Sequence, residues 1–139
     1  MASIRKDILV DAPAGAVWDA VRDVGEVHHR LAPGFVTHAA RDGNERVVTF
    51  ANGLTVRERI VDIDDAARRF SYTLVGSQAQ HHNASMQVLD EGEGRSRIVW
   101  TTDILPDDMA GFIRQTKDQA APIIARTLSA LAGAEAGAA

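Results

Sequence analysis

Two side chains stand where the alternation of a strand calls for carbon. Leu54, Val56, Glu58 and Ile60 share one face of a run with period two, and His82, Ala84, Met86 and Val88 share another. A carboxylate inside an apolar row must be hydrogen-bonded, neutral or wet, because an isolated buried charge is very costly. Glu58 therefore either balances an Arg or lines a site that holds a ligand. His82 has the same two readings. If the two groups serve a reaction, His82 is the general base that takes an acidic proton from carbon. Glu58 then orients that imidazole or protonates a departing oxygen, and Tyr72 hydrogen-bonds to the developing enolate. Without a reaction, Tyr72 and Trp100 are core aromatics whose polar edges find partners.

The other chemical features are weaker. Five histidines occur as His28-His29, His38 and His81-His82. Neighbours on a strand face opposite ways, and neighbours on a helix stand about 100° apart, so neither pair suits chelation. A set of His29, His82 and Glu58 has acceptable ligand types for zinc, but sequence fixes none of its distances. The expectation is no metal and no cofactor, with the place of His29 relative to any pocket left to the tertiary structure. The chain has no cysteine, which excludes disulfides and thiolate chemistry. It also lacks a GxSxG elbow, and Gly92 and Gly94 sit in a turn rather than opening a helix around phosphate.

Composition narrows the class. The 139 residues (15.0 kDa) carry a net charge of −4 and 45% hydrophobic residues, which suits one globular domain. Basic residues are scattered singly or in pairs among acids, so no surface for tracking nucleic-acid phosphates is expected. No apolar run approaches the roughly 20 residues of a membrane span, and Met1 to Asp11 alternates rather than forming a leader's apolar core. The expected location is the cytoplasm. A domain over 1–132 and a small-residue, flexible tail over 133–139 are the expected organisation.

The elements that must position Glu58 and His82 follow from periodicity. Ile4 to Val10 reads as a first strand, Pro13 to Val24 as a helix, and Glu26 to Leu31 as a second short helix stopped by Ala32-Pro33-Gly34. Strands are expected at 35–41, 45–51, 54–64, 68–76, 81–90 and 95–104. Turn signals such as Asn52-Gly53 separate them, and the short links imply an antiparallel meander. Beyond Leu105-Pro106 the period becomes helical. Met109, Phe112, Ile113, Thr116, Ala120, Ile123, Thr127, Leu128 and Leu131 trace the expected buried stripe, with Arg114 and Lys117 at its flank or outside. Pro122 is expected to kink this helix without ending it. The fold class is thus α+β: a curved antiparallel sheet of about seven strands around a long C-terminal helix, two short helices after the first strand, and a cavity between sheet and helix.

The segments DILVDAPAGAVWDAVRDVGEV, ANGLTVRERIVDIDDAARRFSYTLVG and SMQVLDEGEGRSRIVWTTDILP resemble the SRPBCC, or START-like, helix-grip superfamily, in its polyketide cyclase/dehydrase branch. The resemblance covers roughly residues 3 to 131. Val17-Trp18 matches the pair that packs the first helix onto the sheet, Glu58 a recurrent Glu after the glycine turn, and Val99-Trp100 the last hairpin. The chain departs from that pattern at VHHRLAPGF and at His81-His82, both near the expected pocket. The resemblance implies a binding role for a small apolar or amphipathic molecule of polyketide, lipid or aromatic character. Leu54, Val56, Tyr72, Met86 and Trp100 would supply area, with Phe112 and Thr116 from the helix, and Glu58 and His82 would supply orientation. The alternative is a cyclase or dehydratase using His82, Glu58 and Tyr72 as above. A free sheet edge leaves a homodimer open.

Overall fold

The computed structural model describes the backbone of residues 2–138 and the side chains of residues 2–132. Strand β1 (Ala2–Val10) leads through Pro13 into helix α1 (Ala14–Val21), a 3-10 turn at Val24–Glu26 and the single-turn helix α2 (Val27–Arg30). Strands β2 (Val36–Asp42), β3 (Glu45–Phe50), β4 (Thr55–Asp64), β5 (Arg69–Val75), β6 (His81–Gly92) and β7 (Arg95–Leu105) follow, then helix α3 (Ala110–Ala138) after a 3-10 turn. The tail expected over 133–139 falls on residues whose side chains lie outside those described.

All seven strands form one antiparallel sheet in the order β1-β7-β6-β5-β4-β3-β2, a meander from β2 to β7 closed by β1 against the last strand. The Asn52-Gly53 turn between β3 and β4 shows why the sequence makes a sharp reversal there. Gly53 adopts φ +87°, a left-handed value that costs a side chain-bearing residue energy, and the Asn52 side chain accepts the Leu54 N–H. A bulge in β4 between Ile60 and Asp62 comes after Glu58, so the inner row holds through Leu54, Val56, Glu58 and Ile60 and resumes with Ile63. The inner rows of β6 and β7 bury Ala84, Met86, Val88, Ile98, Trp100, Thr102 and Ile104 as alternation requires.

The main core forms where α1 and α3, from Ala120 onward, meet the sheet, and a smaller one joins Ala110 to Ile4 and Ile104. Val17, Val24, Phe70, Ile98, Ile124 and Leu128 are fully buried in the main core. Trp18 is buried at the same junction, and its indole N–H donates to Asp65 at 2.9 Å, which ties α1 to the β4–β5 turn. The convex side carries exposed ion pairs such as Arg57–Glu45 and Arg97–Glu91, each of small energetic weight. No helix among the described residues is long and apolar enough to cross a membrane.

Helix α3 corrects the expected stripe. Pro122 lies inside it on the exposed face, so the helix does continue past the proline. Its buried residues are Ala110, Lys117, Ala120, Ala121, Ile124 and Leu128. Phe112, expected inside, is 54% exposed, and Lys117, expected at the flank or outside, is 2% exposed. Two stripes with the same helical period run along α3, about one residue apart in phase, and hydropathy alone favours the one containing Phe112. Packing decided otherwise. The helix approaches β1 and α1 closely but not β2 to β5, and Phe112 overhangs the gap left on that side.

Candidate functional site

That gap is a cavity of about 510 Å³ between the N-terminal half of α3 and the concave face of the sheet. Leu54, Val56, Glu58, Tyr72, His82, Met86, Trp100, Phe112 and Thr116 all line it. Leu54 and Phe112 are its most exposed large apolar members and form the rim, whereas Thr116 is half-buried and spends its hydroxyl on the Phe112 carbonyl. A wall that the sequence did not reveal comes from Val27 and Leu31, just after the first helix, and from Val48 on β3.

Glu58 lines the cavity and also balances an Arg. It lies directly across from Arg46 in the β3–β4 register, and the guanidinium donates to its carboxylate at 2.9 Å with both side chains buried. Arg46 also donates to the Val24 carbonyl and lies against the Phe70 and Tyr72 rings, 5.0 and 5.3 Å from their centroids. The pair is closed: the carboxylate has its counter-charge and the guanidinium cannot be neutralised. Such a pair is costly to break from one side, since the remaining charge is then buried alone.

His82 and Tyr72 sit beside each other with ring centroids 6.1 Å apart. The Leu74 backbone N–H donates to His82 Nδ1 at 3.2 Å, so that nitrogen is unprotonated and the ring proton resides on Nε2. Burial pushes the imidazole pKa down, against the opposing pull of Glu58. His82 thus presents a donor rather than a free basic lone pair, and no contact joins it to Glu58 among the described residues. The Tyr72 oxygen accepts the Trp100 indole N–H at 3.1 Å, and burial, helped by the Glu58 charge, pushes its hydroxyl pKa up. Tyr72 keeps its proton and can donate it as a hydrogen bond.

The group that sequence reasoning placed wrongly is Lys117. Its ammonium lies 3.9 Å from the Trp100 ring centroid, over the face of the indole. No hydrogen bond or ion pair to it occurs among the described residues. Desolvation brings its pKa down from 10.5 to about 7, with Glu58 pulling weakly the other way. A signal was present in the composition: the chain holds two lysines against thirteen arginines, and the other, Lys6, is an exposed partner of Asp118 at 2.9 Å. Lysine in place of the prevailing arginine matters where a cation must be able to lose its proton.

The expected trio of His29, His82 and Glu58 is not assembled, for His29 is exposed on α2 and does not line the cavity. The structure instead brings the ligand atoms of Glu26, His28 and His29 within 4.8 Å of one another, with the His28 and His29 rings 3.9 Å apart. The angular argument against His28-His29 therefore fails. It counted Cα directions on an ideal helix, whereas these long side chains lean together from a single turn. His29 Nδ1 and Glu26 are hydrogen-bonded at 2.7 Å, and His28 Nδ1 is buried without a partner.

A curved antiparallel sheet gripping one long helix, with an internal cavity between them, defines the class: a helix-grip protein of the START-like kind, whose cavity is a ligand-binding site. The family model described as "Polyketide cyclase / dehydrase and lipid transport" matches residues 1–134, and the chain belongs to that family. Among solved structures, a Thermobifida fusca protein determined by solution NMR is 25% identical, with 93% of this chain and 91% of that one covered and a TM-score of 0.72. The ZhuI aromatase/cyclase from Streptomyces sp. R1128 is 16% identical over 95% of this chain and 93% of its own, with a TM-score of 0.71. Norcoclaurine synthase from Thalictrum flavum, in complex with dopamine and hydroxybenzaldehyde, is 16% identical over 94% and 86%, with a TM-score of 0.72. The last two likenesses show the fold. No curated protein sequence matches the chain.

Proposed function

We propose that the protein binds a small, largely apolar molecule carrying one oxygen-bearing polar end, with the body of the ligand in the cavity and the polar end at Lys117. The observation that carries this reading is a buried lysine facing an apolar cavity with no acceptor among the described residues. The carboxylate that acts on it, Glu58, is already held by Arg46. An oxygen acceptor on a ligand completes what the fold leaves open, and the Tyr72 hydroxyl and His82 Nε2–H supply two further donors. Val48, Val56, Phe70, Met86 and Ile124 supply apolar wall, at about 25 cal/mol per Å² of ligand surface removed from water. The volume falls within the about 300–1,000 Å³ of ordinary small-molecule sites.

The cyclase or dehydratase alternative has less support. Its base, His82, spends the Nδ1 lone pair on Leu74, and its acid, Glu58, is a carboxylate held by an arginine. Native mass spectrometry of gently purified protein tests the binding reading. The expected spectrum shows a co-purified compound that is lost from Lys117→Met while the fold survives. A protein that carries no compound, and that gives no calorimetric signal with aromatic acids, phenols or ketones, refutes it.

A further inference from the structure

We propose that Lys117 captures a carbonyl compound in the cavity as an imine, so that the ligand class is an aldehyde or ketone on an apolar or aromatic body. This rests on the cavity being a ligand site, and it deepens that reading from an acceptor oxygen to a reacting carbon. Three observations converge on it. The amine is buried but borders the cavity, so a ligand meets it without surface competition. Among the described residues its close partner is the Trp100 face, which restrains the side chain, and none of them makes a hydrogen bond to the nitrogen. Arg46 holds the carboxylate that acts on the amine, no ion pair among the described residues fixes it in its charged form, and a good share of it is free base near neutral pH.

Trp100 also organises the other half of the reaction. Lys117 lies on the face of the indole and Tyr72 at its N–H edge, with the Tyr72 oxygen accepting that N–H and its own proton free to point at a ligand. A carbonyl oxygen hydrogen-bonded to Tyr72 or to His82 Nε2–H exposes its carbon to the amine. The nitrogen lone pair forms the C–N bond while the C=O π pair moves to oxygen. That oxygen takes up the proton the nitrogen gives away, passed through Tyr72 or directly, to give a carbinolamine. Loss of the hydroxyl with a second nitrogen proton releases water and leaves the C=N bond. One amine and one carbonyl thus give one imine and one water, with no oxidant or reductant. The groups that bear on the amine's charge are Glu58 from β4, itself held by Arg46 from β3, and His82 from β6.

The test uses cinnamaldehyde as the probe, with sodium cyanoborohydride present to reduce any imine to a stable amine. Intact-mass measurement and a peptide map then compare Lys117 with Lys6 as an internal reference in the same molecule. The expected result is modification of Lys117 at least about tenfold faster than of Lys6 at neutral pH, and protection of Lys117 by excess cinnamyl alcohol, which fits the cavity but cannot condense. Lys117→Arg, which keeps the charge but cannot form the adduct, should lose the fast labelling. Lys117→Met serves the same purpose if Arg does not fit. Equal labelling of both lysines in a protein that binds the alcohol overturns the imine and leaves the binding reading standing. A protein that neither binds the alcohol nor captures the aldehyde overturns both.

Discussion

Replacing Lys117 by Met should stabilise the protein, and the gain should fade as pH rises. The folded-state pKa of about 7 lies below the ordinary 10.5, so folding disfavours the protonated amine. Below pH 7 both states hold the proton, and the folded state bears the whole penalty of the buried charge. From there to about pH 10.5 the unfolded chain retains a proton that the folded one has released, so stability climbs by about 1.4 kcal/mol per pH unit. Evaluated over this pKa difference, the penalty is about 4 kcal/mol near pH 7 and about 1 kcal/mol near pH 10. Met is close to Lys in length and carries no charge, so Lys117→Met removes this term and little else. His82, with a depressed pKa, titrates below this window, and Tyr72, with a raised one, affects stability only from its ordinary value near 10 upward. The assay is urea denaturation of both proteins across this range, in which the difference between them cancels every titration they share. An advantage for Met that stays constant from neutral to alkaline pH would mean that Lys117 titrates as it does in water, and the desolvation argument would fall.

Three other outcomes are expected. Phe112→Ala should cost less than about 1 kcal/mol in thermal melts because the ring is more than half exposed at the rim, yet weaken binding in the cavity; a loss above about 3 kcal/mol would restore Phe112 to the core. Glu58→Gln leaves Arg46 buried without its counter-charge and should cost about 3 kcal/mol by urea denaturation, whereas Arg46→Met combined with Glu58→Leu should recover most of it. An unperturbed single variant would show that the pair is dispensable. Trp18→Ala should cost about 3–5 kcal/mol and lower the Tm by ~10 °C or more, while Trp18→Phe keeps much of the packing and loses the bond to Asp65; a Tm unchanged in Trp18→Ala would remove the tryptophan from the α1–sheet junction.

Sequence by itself determined the elements, their order and the inner face of nearly every strand. Alternation is local geometry: once a strand forms, Val56, Glu58, Tyr72, His82 and Trp100 must share the concave side, and a bulge shifts that register only beyond its own position, as after Ile60. What Glu58 does there was not local. Its partner Arg46 lies twelve residues away, and only the β3–β4 register sets them opposite each other. The proton on His82 was likewise settled by a backbone N–H from the neighbouring strand. The face of α3 was the least legible, because its sequence offers two apolar stripes of equal period and the choice depends on what the helix meets. Ala110, Ile124 and Leu128 pack against the sheet or α1, while on the side toward β2 to β5 the helix borders a cavity, where Phe112 can stand at the rim and Lys117 can turn inward. Hydropathy assigns lysine to water by default, and only tertiary packing could bury this one beside Trp100.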